Sequence, residues 1–177
     1  MNPNAGGSSS QTSPTGGSVK ASPFYFHDGF EADDFDSSHW KWLDGSAAWE
    51  IEREADTASE GTSYAEARTK YIINDSGESI LELQVNSLNG GSLSYQVQAL
   101  IQAPYEDVLV KVDNVAVDIL MNAIPSWTLR EVAIEPGEHV IKWVHRKNPS
   151  AASDEELAVV EPNLGITRID DVTFYPY

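Results

Sequence analysis

The sequence predicts an all-β fold, namely an antiparallel two-sheet β-sandwich of the jelly-roll kind with a disordered N-terminal linker. Beyond Pro23, apolar and polar residues alternate with a period of two through most of the chain. Gly-, Asn- and Pro-containing turn sequences separate these runs at short intervals. No stretch has helical periodicity, apart from a short turn expected near 154–157. About nine or ten short strands of this kind need two packed sheets to bury their apolar faces.

Residues 1–23 differ in composition from the rest of the chain. They are rich in Gly, Ser, Thr and Pro and contain no aromatic residue. Such a segment cannot bury enough surface to offset the entropy lost on ordering. We therefore predict a flexible linker over 1–23 and a sandwich domain over 24–177. A Met followed directly by a linker favours a module of a longer parent chain, whose neighbouring domains would be partners.

The alternation and the turns place the strands one by one. The expected strands are 24–30, 48–53, 64–73, 81–86, 93–99, 108–112, 115–119, 127–134, 139–145 and 168–174. Asn89-Gly90-Gly91 predicts a turn, and Asp113-Asn114 predicts a tight hairpin. Pro136-Gly137 favours a type II turn.

The chain is strongly acidic, with 28 acidic against 11 basic residues and a formal net charge of −17. This charge repels nucleic acid and anionic membranes. No apolar run approaches the roughly 18–20 residues that span a bilayer. We expect neither a nucleic-acid partner nor membrane insertion. Because there is no cysteine, disulfides and thiolate metal sites are excluded.

Two adjacent carboxylates, Asp170 and Asp171, interrupt the apolar pattern of the last strand. Neighbours on a strand face opposite sides, so one of the two should point inward. Asp171 is the inward residue if it shares the core face with Ile169. Ile169 and Phe174 can both be inward only if the strand has a bulge, which leaves Asp170 as the alternative. An inward carboxylate needs a cation or several hydrogen-bond donors.

A second acidic stretch, Asp28–Asp36, opens the folded region. If the first and last strands are neighbours, the two acidic clusters share one site. Ca²⁺ takes roughly six to eight oxygen ligands from carboxylates and carbonyls, so this site would suit it. The alternative is that these carboxylates accept backbone N–H bonds or pair with Arg168.

The tryptophans fall into two groups. Three lie in strand patterns and are expected in the core: Trp49, Trp127 and Trp143. Trp40 and Trp42 lie in a polar stretch, 38–45, that we interpret as a loop. There an exposed ring could stack on a sugar, with Lys41 and Asp44 as hydrogen-bond partners. The alternative is that Trp40 closes one end of the sandwich.

Short sequence pieces in a particular order resemble a known family. These pieces are Phe30-Glu31, Trp49-Glu50-Ile51, Gly61-Thr62-Ser63-Tyr64-Ala65, Ser79–Leu83, Gly91–Tyr95, Tyr105–Asn114, Trp127, Gly137–Trp143 and Ile169–Val172. Together they resemble the MAM-like and carbohydrate-binding-module-like jelly-roll domains of extracellular proteins, over nearly all of 24–177. The chain lacks the cysteines of vertebrate MAM modules, which makes it more similar to a microbial or algal type. It also carries an acidic insertion over 153–165.

The resemblance implies an extracellular or cell-surface β-sandwich used for adhesion, for carbohydrate binding or as a spacer. It also implies a structural calcium between the first and last strands. Its ligands would be Glu31 and one of Asp170 or Asp171, with Asp33 or Asp34 supplying another. A glycan or a cell-surface protein would be the partner.

Motifs of common enzyme classes are missing: there is no Gly-x-Ser-x-Gly, no His-Glu-x-x-His and no P-loop. Glu50, Glu52 and Glu54 alternate on one face, a pattern typical of a solvated strand. We therefore expect a non-catalytic adhesion or ligand-binding module with a structural calcium. One alternative is a structural subunit or spacer of a surface layer or filament. Another is a divergent glycosidase that uses Glu50 with Glu52 or Glu54.

Overall fold

The structure, a computed structural model, describes residues 25–32, 35, 39–42, 49–68, 77–147 and 165–177. These residues contain eleven strands: β1 (Phe26–Asp28), β2 (Trp40–Trp42), β3 (Glu50–Arg53), β4 (Ser63–Arg68), β5 (Glu78–Ser87), β6 (Gly91–Leu100), β7 (Glu106–Val112), β8 (Val115–Leu120), β9 (Ile124–Ile134), β10 (Gly137–Lys147) and β11 (Ile166–Pro176). The predicted linker, the turn near 154–157 and the insertion up to residue 164 lie outside the described residues. No helix among the described residues is long and apolar enough to cross a membrane.

The strands form two antiparallel sheets, as the alternation predicts. The first sheet has the order β3-β4-β11-β6-β9, with β1 paired to β11. The second sheet has the order β2-β5-β10-β7-β8. The buried apolar residues of the two sheets face each other and form the core, whereas β8 leaves Val115, Val117 and Ile119 exposed. The predicted two-sheet β-sandwich is confirmed.

An aromatic cluster fills one part of the core between the sheets. Trp40 is its centre: its ring centroid lies 5.8 Å from that of Trp143 and 5.5 Å from that of Phe30. Trp49 and Trp143 are fully buried, as expected. Trp127 is not part of this core, contrary to our expectation. It lies half-buried on the outer face of the first sheet, where its Nε1 donates to the Thr57 carbonyl at 2.6 Å.

The predicted turns lie where the sequence placed them. Asp113 and Asn114 link β7 to β8 with φ angles of 50° and 70°, and positive φ at both positions is what a type I′ hairpin turn requires. Gly90 precedes β6 with a φ of 76°. A Cβ there would meet the Ile134 carbonyl oxygen at 2.5 Å, so this turn requires glycine.

One strand was missed by the sequence analysis. Residues 40–42, interpreted as a loop, form β2 at the edge of the second sheet, with Trp40 opposite Leu83 and Trp42 opposite Leu81. A three-residue strand is too short for a period of two to be recognised. Burial of the Trp40 ring explains why the strand forms here despite the polar residues around it.

Candidate functional site

The aspartate pair lies where the neighbour of β11 changes. Ile166–Ile169 pair with β4, whereas Val172–Phe174 pair with β1. Between these two segments the register of β11 against β6 shifts, and Asp171 adopts a left-handed φ of 48°. This bulge lets both Ile169 and Phe174 face the core. As a result Asp170 is the buried carboxylate, at 0 % exposed, and the Asp171 side chain is 31 % exposed. The expectation that Asp171 points inward is wrong.

Asp170 is satisfied by backbone donors. Its Oδ2 accepts hydrogen bonds from the Ser59 and Glu60 amides at 2.9 and 3.1 Å, and its Oδ1 accepts one from the Asp171 amide at 2.7 Å. Burial raises the pKa of Asp170 to about 6, and the three N–H bonds oppose that rise. The carboxylate therefore fixes the β3–β4 loop, residues 54–62, over the outer face of the first sheet.

Glu31 binds the other end of the same loop. Its Oε1 accepts from the Thr62 and Ser63 amides at 2.7 and 3.0 Å, and its Oε2 accepts from the Thr62 hydroxyl at 2.8 Å. These hydrogen bonds lower the pKa of Glu31. Gly61 makes room for the carboxylate, since a Cβ there would lie 2.2 Å from Oε1. Phe30, just before Glu31, has a left-handed φ of 56°.

The first and last strands are neighbours, as the calcium hypothesis requires. Phe26 pairs with Phe174, and Asp28 pairs with Val172. The structure thus brings Glu31 and Asp170 to the two ends of one five-residue segment, 59–63. Asp171 instead lies against β1, with its Oδ1 2.8 Å from His27 Nε2. Asp33 and Asp34 lie outside the described residues.

The fit of these residues to a cation is partial. A carboxylate has about four lone-pair sites, and Glu31 and Asp170 each use three for hydrogen bonds. Each can therefore offer about one ligand. The described part of the chain contains no group of three or more Asp, Glu or His side chains placed to hold a metal ion. The further oxygens that Ca²⁺ needs would have to come from Asp33, Asp34 or backbone carbonyls.

Arg168 does not pair with the aspartates. Its Nε donates to Glu66 at 2.8 Å, and its guanidinium lies 5.0 Å from the Tyr64 ring centroid. Glu66 is buried and is also paired with Arg68. Two arginines thus neutralise this carboxylate on the outer face of the first sheet.

The glutamates of the glycosidase alternative lie beside this cluster. Glu50 and Glu52 are on β3, and Glu50 lies opposite Glu66. Burial and the charge of Glu66 raise the pKa of Glu52. Glu54 begins the β3–β4 loop and accepts a hydrogen bond from the Tyr64 hydroxyl at 3.3 Å.

Of the predicted sugar-binding residues, the structure describes the side chains of Trp40 and Lys41. The Trp40 ring is 1 % exposed and its Nε1 donates to Asp28 Oδ2 at 2.7 Å, so it has no face open to a sugar. This corrects the expectation for Trp40 and fits the alternative that it closes the core. Lys41 is exposed and lies opposite Glu82. The Trp42 side chain and Asp44 lie outside what the structure describes.

A groove along β5 and β10 was not anticipated from the sequence. It has a volume of about 410 Å³ and is lined by Gln84, Val85, Asn86, Glu138, His139 and Val140. Asn86 Nδ2 donates to Glu138 Oε1 at 3.2 Å across the two strands. The alternation predicted that Gln84 and Asn86 face outward, but it could not show that β10 places Glu138 beside them. We name this feature the β5–β10 groove.

His139 anchors one end of the β5–β10 groove. Its Nδ1 lies 2.7 Å from Asp113 Oδ2, and its Nε2 lies 3.0 Å from the Glu135 carbonyl oxygen. The hydrogen bond to Asp113 raises the pKa of His139. Asp113 also accepts the Val140 amide at 3.0 Å. The β7–β8 turn is thereby fastened to the start of β10, which gives the groove a fixed wall.

Comparison with solved structures places this arrangement among known folds. The K1 cleaved adhesin domain of Lys-gingipain from Porphyromonas gingivalis W83 has a TM-score of 0.60 at 16 % identity, over 87 % of this chain and 99 % of that one. At this identity the likeness shows the fold, a two-sheet jelly roll. No protein-family model matches the chain, and no curated protein sequence does.

Two carbohydrate-binding modules have the same fold. The C-terminal family 22 module of Clostridium thermocellum Xyn10B has a TM-score of 0.54 at 13 % identity, over 87 % of this chain and 94 % of that one. TmCBM61, solved in complex with β-1,4-galactotriose, has a TM-score of 0.51 at 13 % identity, over 84 % and 94 %. At these identities the likeness concerns the fold. The MAM-like part of the resemblance stays a prediction.

Proposed function

We propose that this chain is a non-catalytic, extracellular binding module that takes a glycan in the β5–β10 groove. The observation that carries the proposal is the groove itself, a concavity of about 410 Å³ in which the polar side chains of Gln84, Asn86 and Glu138 lie beside Val85 and Val140. Ligand sites in proteins commonly have volumes of roughly 300–1,000 Å³. A glycan on a cell surface, or on a cell-surface protein, is the partner this implies.

The groove chemistry suits sugar hydroxyls. Gln84 and Asn86 supply amide groups that both donate and accept, and Glu138 supplies a carboxylate that accepts. The Asn86–Glu138 hydrogen bond holds the two side chains in place before a ligand arrives, which reduces the entropy cost of binding. Nearby on the same face, Lys142 pairs with Glu82 at 3.0 Å, so this cation is neutralised. A neutral glycan therefore fits better than an anionic one.

The test is a glycan array followed by titration calorimetry on the best ligand. Asn86→Ala and Glu138→Ala should each weaken binding by about fivefold or more, because each removes a hydrogen-bonding group from the groove. Asn122→Ala is the matched control, since Asn122 is also exposed but lies between β8 and β9. Unchanged affinity in both groove variants would show that the glycan does not bind in this groove. Trp42→Ala and Lys41→Ala test the earlier prediction at the edge of the same sheet.

A structural calcium is the second part of the proposal. Glu31 and Asp170 would each give one oxygen, and Asp33, Asp34 or backbone carbonyls would supply others. Two observations support it: both carboxylates lie next to left-handed residues, Phe30 and Asp171, and both hold the same loop. Strained backbone of this kind is often found at ligand sites. The ion would join β1, β11 and the β3–β4 loop, and would have no part in chemistry.

One of the three glutamates of the glycosidase alternative already serves an internal contact, since Glu54 accepts a hydrogen bond from the Tyr64 hydroxyl at 3.3 Å. This contact supports a binding role over the glycosidase alternative. A release assay for reducing sugar on the polysaccharides that bind would check this directly. Turnover lost in Glu50→Gln or Glu52→Gln would overturn the non-catalytic assignment.

A further inference from the structure

Three exposed tyrosines lie together at one end of the first sheet. Tyr25 is 57 % exposed, Tyr175 52 % and Tyr177 70 %. The ring centroids of Tyr25 and Tyr175 are 5.6 Å apart, with an angle of 59° between the planes. Single exposed apolar groups on a protein surface need no explanation, whereas contiguous ones often mark a binding site. We name Tyr25, Tyr175 and Tyr177 the tyrosine platform.

The strand register explains why these rings meet. Phe26 pairs with Phe174 on the core side of β1 and β11, so the residues next to them, Tyr25 and Tyr175, lie on the outer side. Tyr177 is held by two bonds to the β5–β6 turn: its amide donates to the Gly90 carbonyl at 3.0 Å, and its own carbonyl accepts from Asn89 Nδ2 at 3.1 Å. The platform is therefore built on paired strands.

Uncharged polar groups continue the outer face beside the rings. Tyr175 lies opposite Ser92 on β6, and in the next row Thr173 lies opposite Ser94. The row of Tyr175 is uncharged, with Ser92 and then Ala133 beside it, and ionisable residues begin only in the next row, where His27 and Glu131 flank Thr173 and Ser94. A cationic partner would be drawn to the acidic faces instead. Aromatic faces flanked by hydroxyls suit a neutral ligand that has both apolar and hydroxyl-bearing sides.

We propose that the tyrosine platform is a second glycan-binding surface, which takes a neutral sugar chain across Tyr25 and Tyr175 with Ser92 as a hydrogen-bonding neighbour. The choice of a glycan as the ligand rests on the proposed function, but the tyrosine platform lies on the opposite face of the sandwich from the β5–β10 groove. The β5–β10 groove opens on the second sheet, and the platform lies on the outer face of the first. A module with both sites holds two glycan segments and gains avidity on a dense polysaccharide.

Affinity electrophoresis in gels that contain xylan, β-1,4-galactan or other neutral polysaccharides from the array tests the platform. Tyr25→Thr and Tyr175→Thr remove the rings but keep residues that favour strands. Each should weaken retardation by about fivefold or more, as expected for an interface anchor. Leu129→Thr is the matched control, because Leu129 is 54 % exposed on β9 of the same sheet. Melting temperatures of all three variants verify that they fold.

The outcomes separate this proposal from the groove. Binding that survives in the Asn86→Ala, Glu138→Ala double variant and is lost on adding Tyr175→Thr supports the platform. Binding that the groove variant abolishes and the tyrosine variants leave intact overturns the platform and keeps the groove. A wild-type chain that no neutral polysaccharide of the panel retards overturns both.

Discussion

His145 is the most deeply buried titratable side chain of β10. It is 0 % exposed, and its strand neighbours are Ser79 and Val108. Burial lowers the pKa of His145 to about 4, and a hydrogen bond with the Ala67 backbone opposes that fall. The imidazole is therefore neutral in the folded protein at pH 5, where the unfolded chain would hold it as a cation.

This difference makes the folded state sensitive to acid. The stability that the neutral His145 contributes is complete above its unfolded pKa of about 6.5 and is lost as the pH falls toward 4. His145→Gln removes the titration. The difference in unfolding free energy between wild type and variant should shrink by about 3 kcal/mol from pH 7 to pH 4. Urea unfolding at several pH values measures this, and a difference that stays constant would contradict the assignment.

Asp170 changes the stability of the folded protein with pH in the direction opposite to His145. Burial raises the pKa of Asp170 to about 6, so its contribution to stability is complete below about 3.8 and is lost as the pH rises through 6. Over the range in which acid weakens the protein through His145, acid strengthens it through Asp170. A bound cation would reverse the behaviour of Asp170, because it stabilises the ionised form.

At the scale of the element, the β3–β4 loop depends on contacts distant in sequence. Asp170 of β11 binds its middle, Glu31 binds its end, and Trp127 of β9 binds the Thr57 carbonyl. Each contact leaves a main-chain group of the loop satisfied, which a loop lying over a sheet requires. The loop backbone lies closest to the Glu31 carboxylate at Gly61, where a Cβ would overlap Glu31 Oε1.

Gly61→Ala should destabilise the protein by about 1–3 kcal/mol, because Gly61 has a φ of 67° and a Cβ would displace Glu31 Oε1. Hydrogen exchange of the Thr62 and Ser63 amides should rise at the same time. Gly29→Ala is the matched control, since a Cβ at Gly29 meets nothing within 4 Å. Equal melting temperatures for the two variants would mean that Glu31 does not fix the loop.

The strands that a two-residue period could predict are those with several outward polar residues. β6 alternates over its full length and was predicted from its side chains alone. β2 has three residues, and its placement depends on the burial of Trp40 in a cluster drawn from distant segments. Asp170 was misplaced for a related reason. Only the change of partner from β4 to β1 creates the bulge, which lets Ile169 and Phe174 both face the core and leaves Asp170 on the outer face, buried beneath the β3–β4 loop.

Only part of the candidate site could be predicted from the sequence. The shared acidic site was conditional on the first and last strands being neighbours, and the structure shows that they are. The hydrogen bonds of Glu31 and Asp170 to residues 59–63 could not be predicted. Nearly every residue has a backbone N–H, so the sequence does not show which of them binds a carboxylate. The β5–β10 groove and the tyrosine platform likewise depend on register, which pairs Asn86 with Glu138 and Phe26 with Phe174.

At the scale of the whole molecule, charge and ion binding act together. A formal net charge of −17 implies repulsion within the folded chain, which any salt screens. Sodium chloride should therefore raise the melting temperature gradually. A specific calcium site adds a term that depends on calcium concentration and is absent with another divalent cation of the same charge.

Calcium added to chelator-treated protein at pH 7 should raise the melting temperature by several degrees beyond magnesium at equal ionic strength, because ligand binding to the folded state adds to stability. Asp170→Asn should remove this excess and keep the rise caused by sodium chloride. Because the pKa of Asp170 is about 6 without a cation, the calcium excess should be smaller at pH 5, where a proton competes for the carboxylate. Equal effects of calcium and magnesium, unchanged by Asp170→Asn, would leave charge screening as the whole explanation and reject the calcium site.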